Sequence, residues 1–115
     1  METKYRLFEL KDGNYLTLFH SVNGTRIIPI GQWIKAKQCI AYEGQHGKKY
    51  RAAFHVFDSI EIIPTFIKKF HASRTLIVAQ VVVRGKCRKK PSNSTITLAP
   101  EMMVLNKEPE MIFHI

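Results

Sequence analysis

Cysteine is scarce in this sequence: Cys39 and Cys87 are the only two in 115 residues, and neither has a second Cys or His two to five residues away. That spacing offers no zinc site, and a secreted domain held together by disulfides normally carries more cysteine than this. Reduced thiols in the cytoplasm of a host cell are expected, with no metal and no cofactor. Long apolar runs are absent as well. The longest, Leu76 to Val83, is interrupted by Gln80, whereas a membrane-crossing helix needs roughly 20 apolar residues. No membrane span is expected, and Met1-Glu2-Thr3-Lys4 leads into a strand pattern rather than an apolar leader.

Negative charge is the third scarcity. Nine Asp and Glu stand against 18 Lys and Arg, a formal net charge of +9, and no acidic residue occurs between Ile62 and Pro100. Lys68, Lys69, Arg74, Arg84, Lys86, Arg88, Lys89 and Lys90 all fall in that interval. Such a chain is biased toward polyanions or acidic protein surfaces. Hydrophobic content of 45% and charged content of 23% are ordinary for a globular protein. At this length one domain, residues 1–115, is expected.

What is present reads mostly as strand. Lys4 to Leu10 and Tyr15 to His20 flank Lys11-Asp12-Gly13-Asn14, a hairpin signal, because Asp-Gly accepts the positive φ angles of a tight turn. Asn23-Gly24 repeats the signal before Thr25 to Ile30, where Pro29 points to an edge or a strand end. Gln32 to Ala36 and Tyr50 to Phe57 are further strands, separated by the Gly-rich loop Glu43 to Lys49. Ile60, Ile63, Phe66, Ile67 and Phe70 recur at helical spacing behind Asp58, which is read as an N-cap answered by Glu61. Pro64 should kink this helix or delay its proper start.

Thr75 to Val83 is a β-branched run suited to a central strand covered on both faces, and Gly85 ends it. Cys87 to Ser94 reads as a loop; Thr95 to Leu98, Met102 to Leu105 and Met111 to Ile115 read as short strands. The expected class is α+β: a mostly antiparallel β-sheet with one main α-helix, residues 58–71, packed on it. The apolar end Met111 to Ile115 needs cover, either from its own sheet or from a second copy in a homodimer. Trp33 is expected as a core anchor.

Arg84, Lys86, Arg88, Lys89 and Lys90 put five cations into seven positions where the central strand exits. They are expected to form one exposed ridge that neutralises phosphates and whose Arg88, Lys89 and Lys90 can be replaced by Ala with folding nearly unchanged, or else a solvated loop that only keeps the protein soluble. Lys48, Lys49 and Arg51 extend that candidate surface, with Tyr50 or His46 available for stacking on a base. Five histidines are scattered without metal or general-base spacing. His55, on a strand beside the helix cap, is read as structural, and Cys87 among cations lacks an accompanying base.

Three pieces carry a resemblance: Tyr50-Arg51-Ala52-Ala53-Phe54-His55-Val56-Phe57, Val78-Ala79-Gln80-Val81-Val82-Val83-Arg84-Gly85, and Ala99-Pro100-Glu101-Met102-Met103-Val104-Leu105. Over about its second half the chain resembles small uncharacterised bacteriophage and mobile-element proteins. Those carry a Gly-Phe-His strand, a helix, a Val-rich strand ending in Gly, and an Ala-x-x-Met-x-Val-Leu tail; Ala53 replaces the glycine here. The resemblance implies a phage origin. It leads to the expectation of a non-enzymatic basic binding protein that engages nucleic acid or a host nucleic-acid-binding complex, for instance as an inhibitor of a host defence such as CRISPR.

The strand-helix-strand order is also similar to the core of ADP-ribosyltransferases, which implies the competing expectation of a small nucleotide- or NAD-handling enzyme. No paired Arg, Ser-x-Ser and Glu set fills that family's positions. A minor virion structural protein is the third expectation.

Overall fold

The computed structural model describes residues 2–18, 25–36, 40–43, 48–51, 53–68, 73–91, 93–105 and 108–115. Asp12 and Gly13 both have positive φ, 53° and 76°, so β1 (Glu2–Lys11) turns into β2 (Asn14–Leu16) through the two-residue loop that Asp-Gly favours. Register follows the turn, with Lys11 opposite Asn14. Thr25 to Ile30 builds no strand. Ile27 bridges to Leu16 and Ile30 to Val104, each singly. Pro29 between them has no amide with which to continue a ladder.

The remaining elements are β3 (Ile34–Lys35), β4 (Ile40–Glu43), β5 (Lys48–Arg51), β6 (Phe54–Phe57), a 3-10 turn (Ile60–Ile62), α1 (Ile63–Ile67), β7 (Thr75–Arg84), β8 (Arg88–Lys90), β9 (Asn93–Ala99), β10 (Glu101–Val104) and β11 (Met111–His114). The class is α+β as expected, with every strand pair antiparallel. The main sheet runs β3-β10-β7-β1-β6-β9-β8, with β11 added to β7 and β2 to β1, while β4 and β5 form a separate two-stranded sheet. The expected Tyr50 to Phe57 strand thus divides between two sheets.

The helix is shorter than 58–71. Helical backbone covers residues 60–67, and Phe70 lies outside the described residues. Pro64 sits in the first turn of α1, where its missing amide costs no hydrogen bond, so the tighter 3-10 turn precedes it. The cap is also displaced by one residue. Ser59 accepts from the Glu61 amide at 3.4 Å and donates to the Glu61 carboxylate, whereas Asp58 turns elsewhere.

Alternation along β7 places a core on each side of the sheet. Leu76 and Val78 pack with Leu7, Phe57, Ile96 and the helix residues Ile63 and Ile67. Ile77, Ala79, Val81 and Val83 face the other way, among Phe8, Tyr15, Ile34, Phe54, Val56, Ala99, Met102 and Val104. This second cluster draws on seven strands, which wrap around it. Chain length requires such wrapping: β7 and β8 are four strand spacings apart along the sheet, about 19 Å if it were flat. The connection from Arg84 to Lys86 and Cys87 into Arg88 spans at most roughly 14 Å. The sheet therefore curls until β8 returns toward the end of β7.

The chain end is covered in part by its own sheet: β11 pairs with β7, and Met111 and Phe113 pack against the helix-side core, while Ile112 and Ile115 stay exposed. Arg6 fills the gap where β1 and β6 diverge. Its Nη1 donates to the His55 carbonyl at 2.8 Å, and its Cζ lies 5.5 Å from the rings of both Phe8 and Phe54. Burial lowers its pKa to about 10, so it stays charged at neutral pH. No helix among the described residues is long and apolar enough to cross a membrane.

Candidate polyanion-binding mouth

Curling gives the inner face an open end, and the residues there are polar. Lys4 lies on the same face of β1 as Phe8, and Thr97 on the same face of β9 as Ala99, opposite Lys89 of β8. Between them and the Val83 to Cys87 turn lies an open pocket of about 650 Å³ lined by Lys4, Val83, Arg84, Gly85, Lys86, Cys87, Arg88, Lys89 and Thr97. Gly85 makes the turn with φ +92°, and a Cβ there would stand 2.5 Å from Pro100 Cγ. Cys87 amide to Gly85 carbonyl, 3.0 Å, closes it.

Four of the five clustered cations therefore share one wall, joined by Lys4 from a distant part of the chain. Lys90 is half-buried and outside that wall, and a register shift falls between Lys89 and Lys90. Instead of a loop, Arg88 to Lys90 form strand β8 at the end of the sheet, where charged side chains are well tolerated on an edge. Lys48, Lys49 and Arg51 belong to β5, paired with Glu43, Tyr42 and Ile40 of β4; their side chains, like that of Tyr50, and the whole of His46 and Cys39 lie outside the described residues.

Two carboxylates fold back onto the acid-free segment. Asp58 Oδ1 accepts from Lys4 Nζ at 3.0 Å and Thr97 Oγ1 at 2.7 Å, while Oδ2 pairs with Lys89. Lys89 also donates to Thr97 at 3.2 Å. Glu101 Oε1 holds Arg84 Nη2 at 3.1 Å, and the Arg84 guanidinium lies 4.0 Å over the Trp33 ring. Trp33 is half-buried beside this cation, so its role as a core anchor gives way to a stacking one. Among the described residues, the five cations of this wall face two carboxylates.

Burial pushes the Asp58 carboxyl up, but hydrogen bonds from Lys89, Thr97 and Lys4 outweigh it and bring the pKa to about 2, from 3.8 when unperturbed. A folded pKa below the unfolded one stabilises the fold fully above about pH 5, and this stabilisation is lost as pH falls through about 2. Asp58→Asn is expected to cost about 1–2 kcal/mol at neutral pH, allowing for solvent screening, and almost nothing near pH 2. Urea unfolding of both proteins across that pH range measures the difference. The same pairing means that Lys89 cannot be removed at no cost to folding, contrary to the freely substitutable ridge expected from the sequence.

His55 is half-buried, with Nδ1 3.2 Å from the Ala53 carbonyl. No group of three or more His, Cys, Asp or Glu suited to a metal occurs among the described residues. Sequence reasoning missed Lys4, Asp58 as an ion-pair partner, Glu101 and Thr97. The pairings of β1, β6, β9 and β10 with their neighbours bring them together. Comparison with family models, with curated proteins and with solved structures gives no match for this chain.

Proposed function

We propose that this protein is a non-enzymatic binding protein that engages the phosphate backbone of nucleic acid, free or within a host nucleoprotein complex, through the basic mouth of its curled sheet. The observation that supports this most is the convergence of Lys4, Arg84, Lys86, Arg88 and Lys89 on one open pocket. Lysines and arginines so placed neutralise phosphates and release their counterions. Arg6 and Arg26 are not part of it: Arg6 closes the β1–β6 gap, and Arg26 ties Glu9 at 2.7 Å to the Thr17 carbonyl at 2.8 Å.

The resemblance to phage and mobile-element proteins supplies a setting, the inhibition of a host defence such as a CRISPR effector. Charge narrows how such inhibition would work. A nucleic-acid-binding cleft is itself basic, so a chain of net charge +9 is repelled from it and attracted to the bound nucleic acid or to an acidic face. Fluorescence anisotropy of labelled oligonucleotides across a salt series tests the proposal. Affinity should fall steeply and linearly on a log-log plot as salt rises. Absence of binding to DNA and RNA at low salt would sink it.

A further inference from the structure

Arg84 presents a planar cation to the mouth, and assigning a ligand to that plane rests on the polyanion-binding proposal. Arg84 is the last residue of β7, and register places Glu101 of β10 directly opposite it. The guanidinium lies over Trp33 with Cζ 4.0 Å from the ring centroid, and Glu101 holds its Nη2 at 3.1 Å. The Arg84 side chain nevertheless remains 46% exposed. One face of the cation is thus covered by indole, its edge is taken by a carboxylate, and it lines the same pocket as Lys86 and Arg88.

A guanidinium paired through one nitrogen with a carboxylate offers a phosphate less net charge than an unpaired one. A plane held between two fixed partners has lost its rotational freedom in advance, and that suits stacking. Nucleic-acid bases stack readily on guanidinium planes and aromatic rings, but only when they are splayed out of a duplex. Lys86 and Arg88 are exposed on the same wall, and Lys86 adds charge beside the Arg84 plane.

We infer that the mouth takes single-stranded rather than duplex nucleic acid, one base stacking on the solvent face of the Trp33-supported Arg84 plane while neighbouring phosphates meet Lys86 and Arg88. The protein has a single tryptophan, Trp33, so its emission reports directly from this site. The experiment titrates the full chain with a single-stranded oligonucleotide of about ten nucleotides, the matching duplex, inorganic polyphosphate and polyglutamate at one salt concentration. The single strand should bind at least about tenfold tighter than the duplex, and it alone should change Trp33 emission.

R84K keeps the charge and loses the plane. It should lower single-strand affinity by roughly fivefold to a hundredfold, the range of one lost stacking contact, and leave polyphosphate affinity within about twofold. Thermal melting checks that R84K folds. If it does not, W33L and W33F serve instead, read by anisotropy of a labelled strand, with loss expected for Leu and retention for Phe. Equal binding of single strand and duplex, with R84K changing neither, would overturn the stacking plane and leave the polyanion proposal standing. Polyglutamate competing as well as the single strand at equal charge would overturn it in favour of an acidic protein partner. Binding to none of the four would overturn both.

Discussion

Replacing Gly85 with alanine is expected to destabilise the protein by about 3 kcal/mol and to lower the melting temperature by roughly 10–15 °C. Two costs add. A φ of +92° is strained for any residue with a Cβ, worth about 1 kcal/mol or more. The new methyl would also stand 2.5 Å from Pro100 Cγ, in a ring that cannot rotate away, and overpacking of this kind costs about 1–3 kcal/mol. Gly31 provides the control. Its φ is +78°, but nothing stands within 4 Å of the position its Cβ would take, so Gly31→Ala should lose only the conformational part. Calorimetry on both variants separates strain from collision. The connection is what returns β8 to the end of β7, so Gly85→Ala should also disturb the basic wall.

The second large effect is on binding. Lys86 and Arg88 are exposed, and their joint replacement by alanine should change stability by no more than about 0.5 kcal/mol each. Affinity for a DNA duplex or an RNA should fall far more. Each phosphate contact contributes about 0.9 to the log-log salt slope on a duplex and about 0.7 on a single strand. Losing two contacts should flatten the slope by about 1.8 or 1.4 units, which near 0.15 M salt corresponds to roughly thirtyfold or tenfold weaker binding. An acidic protein partner would instead show mainly a slower association. Lys89→Ala should behave differently from either, because it also releases one oxygen of Asp58 and so lowers stability as well as affinity.

Local chemistry made part of this fold legible. Asp12-Gly13 dictated a hairpin whatever lay beyond it, and the β-branched run from Thr75 to Val83 could be buried on both faces only at the centre of a sheet. Pro64 foretold a late helix start for the same local reason. The misreadings share an opposite cause. Asp58 has the signature of an N-cap, but Lys4, 54 residues away, Lys89 and Thr97 offer it stronger hydrogen bonds than a helix amide does. Arg88-Lys89-Lys90 looks like loop because its residues have low strand propensity. At the edge of a sheet only one side of the ladder must be filled, and charged side chains there meet water.

The same limit applies to the site. Counting charges along the chain finds the cations at Arg84, Lys86, Arg88 and Lys89, and it also finds the segment free of acid. Asp58 and Glu101 enter only through strand pairing, and they hold Lys4, Lys89 and Arg84 of the cluster in ion pairs. Size alone marks Trp33 as a core residue. Its position just before β3, beside Arg84, is fixed by the β3–β10–β7 register, which no periodicity in the sequence reveals.

The central claim is that ligand meets the protein at the mouth between Val83 and Arg88. Backbone amide spectra recorded while the isotopically labelled protein is titrated with a short oligonucleotide test it residue by residue. Shifts should concentrate at Gly85, Lys86, Cys87 and Arg88 and at Lys4, Lys89 and Thr97, which line the same pocket, while β11 (Met111–His114), which does not line it, stays in place. Saturable shifts that leave these residues unmoved and appear elsewhere would contradict the account.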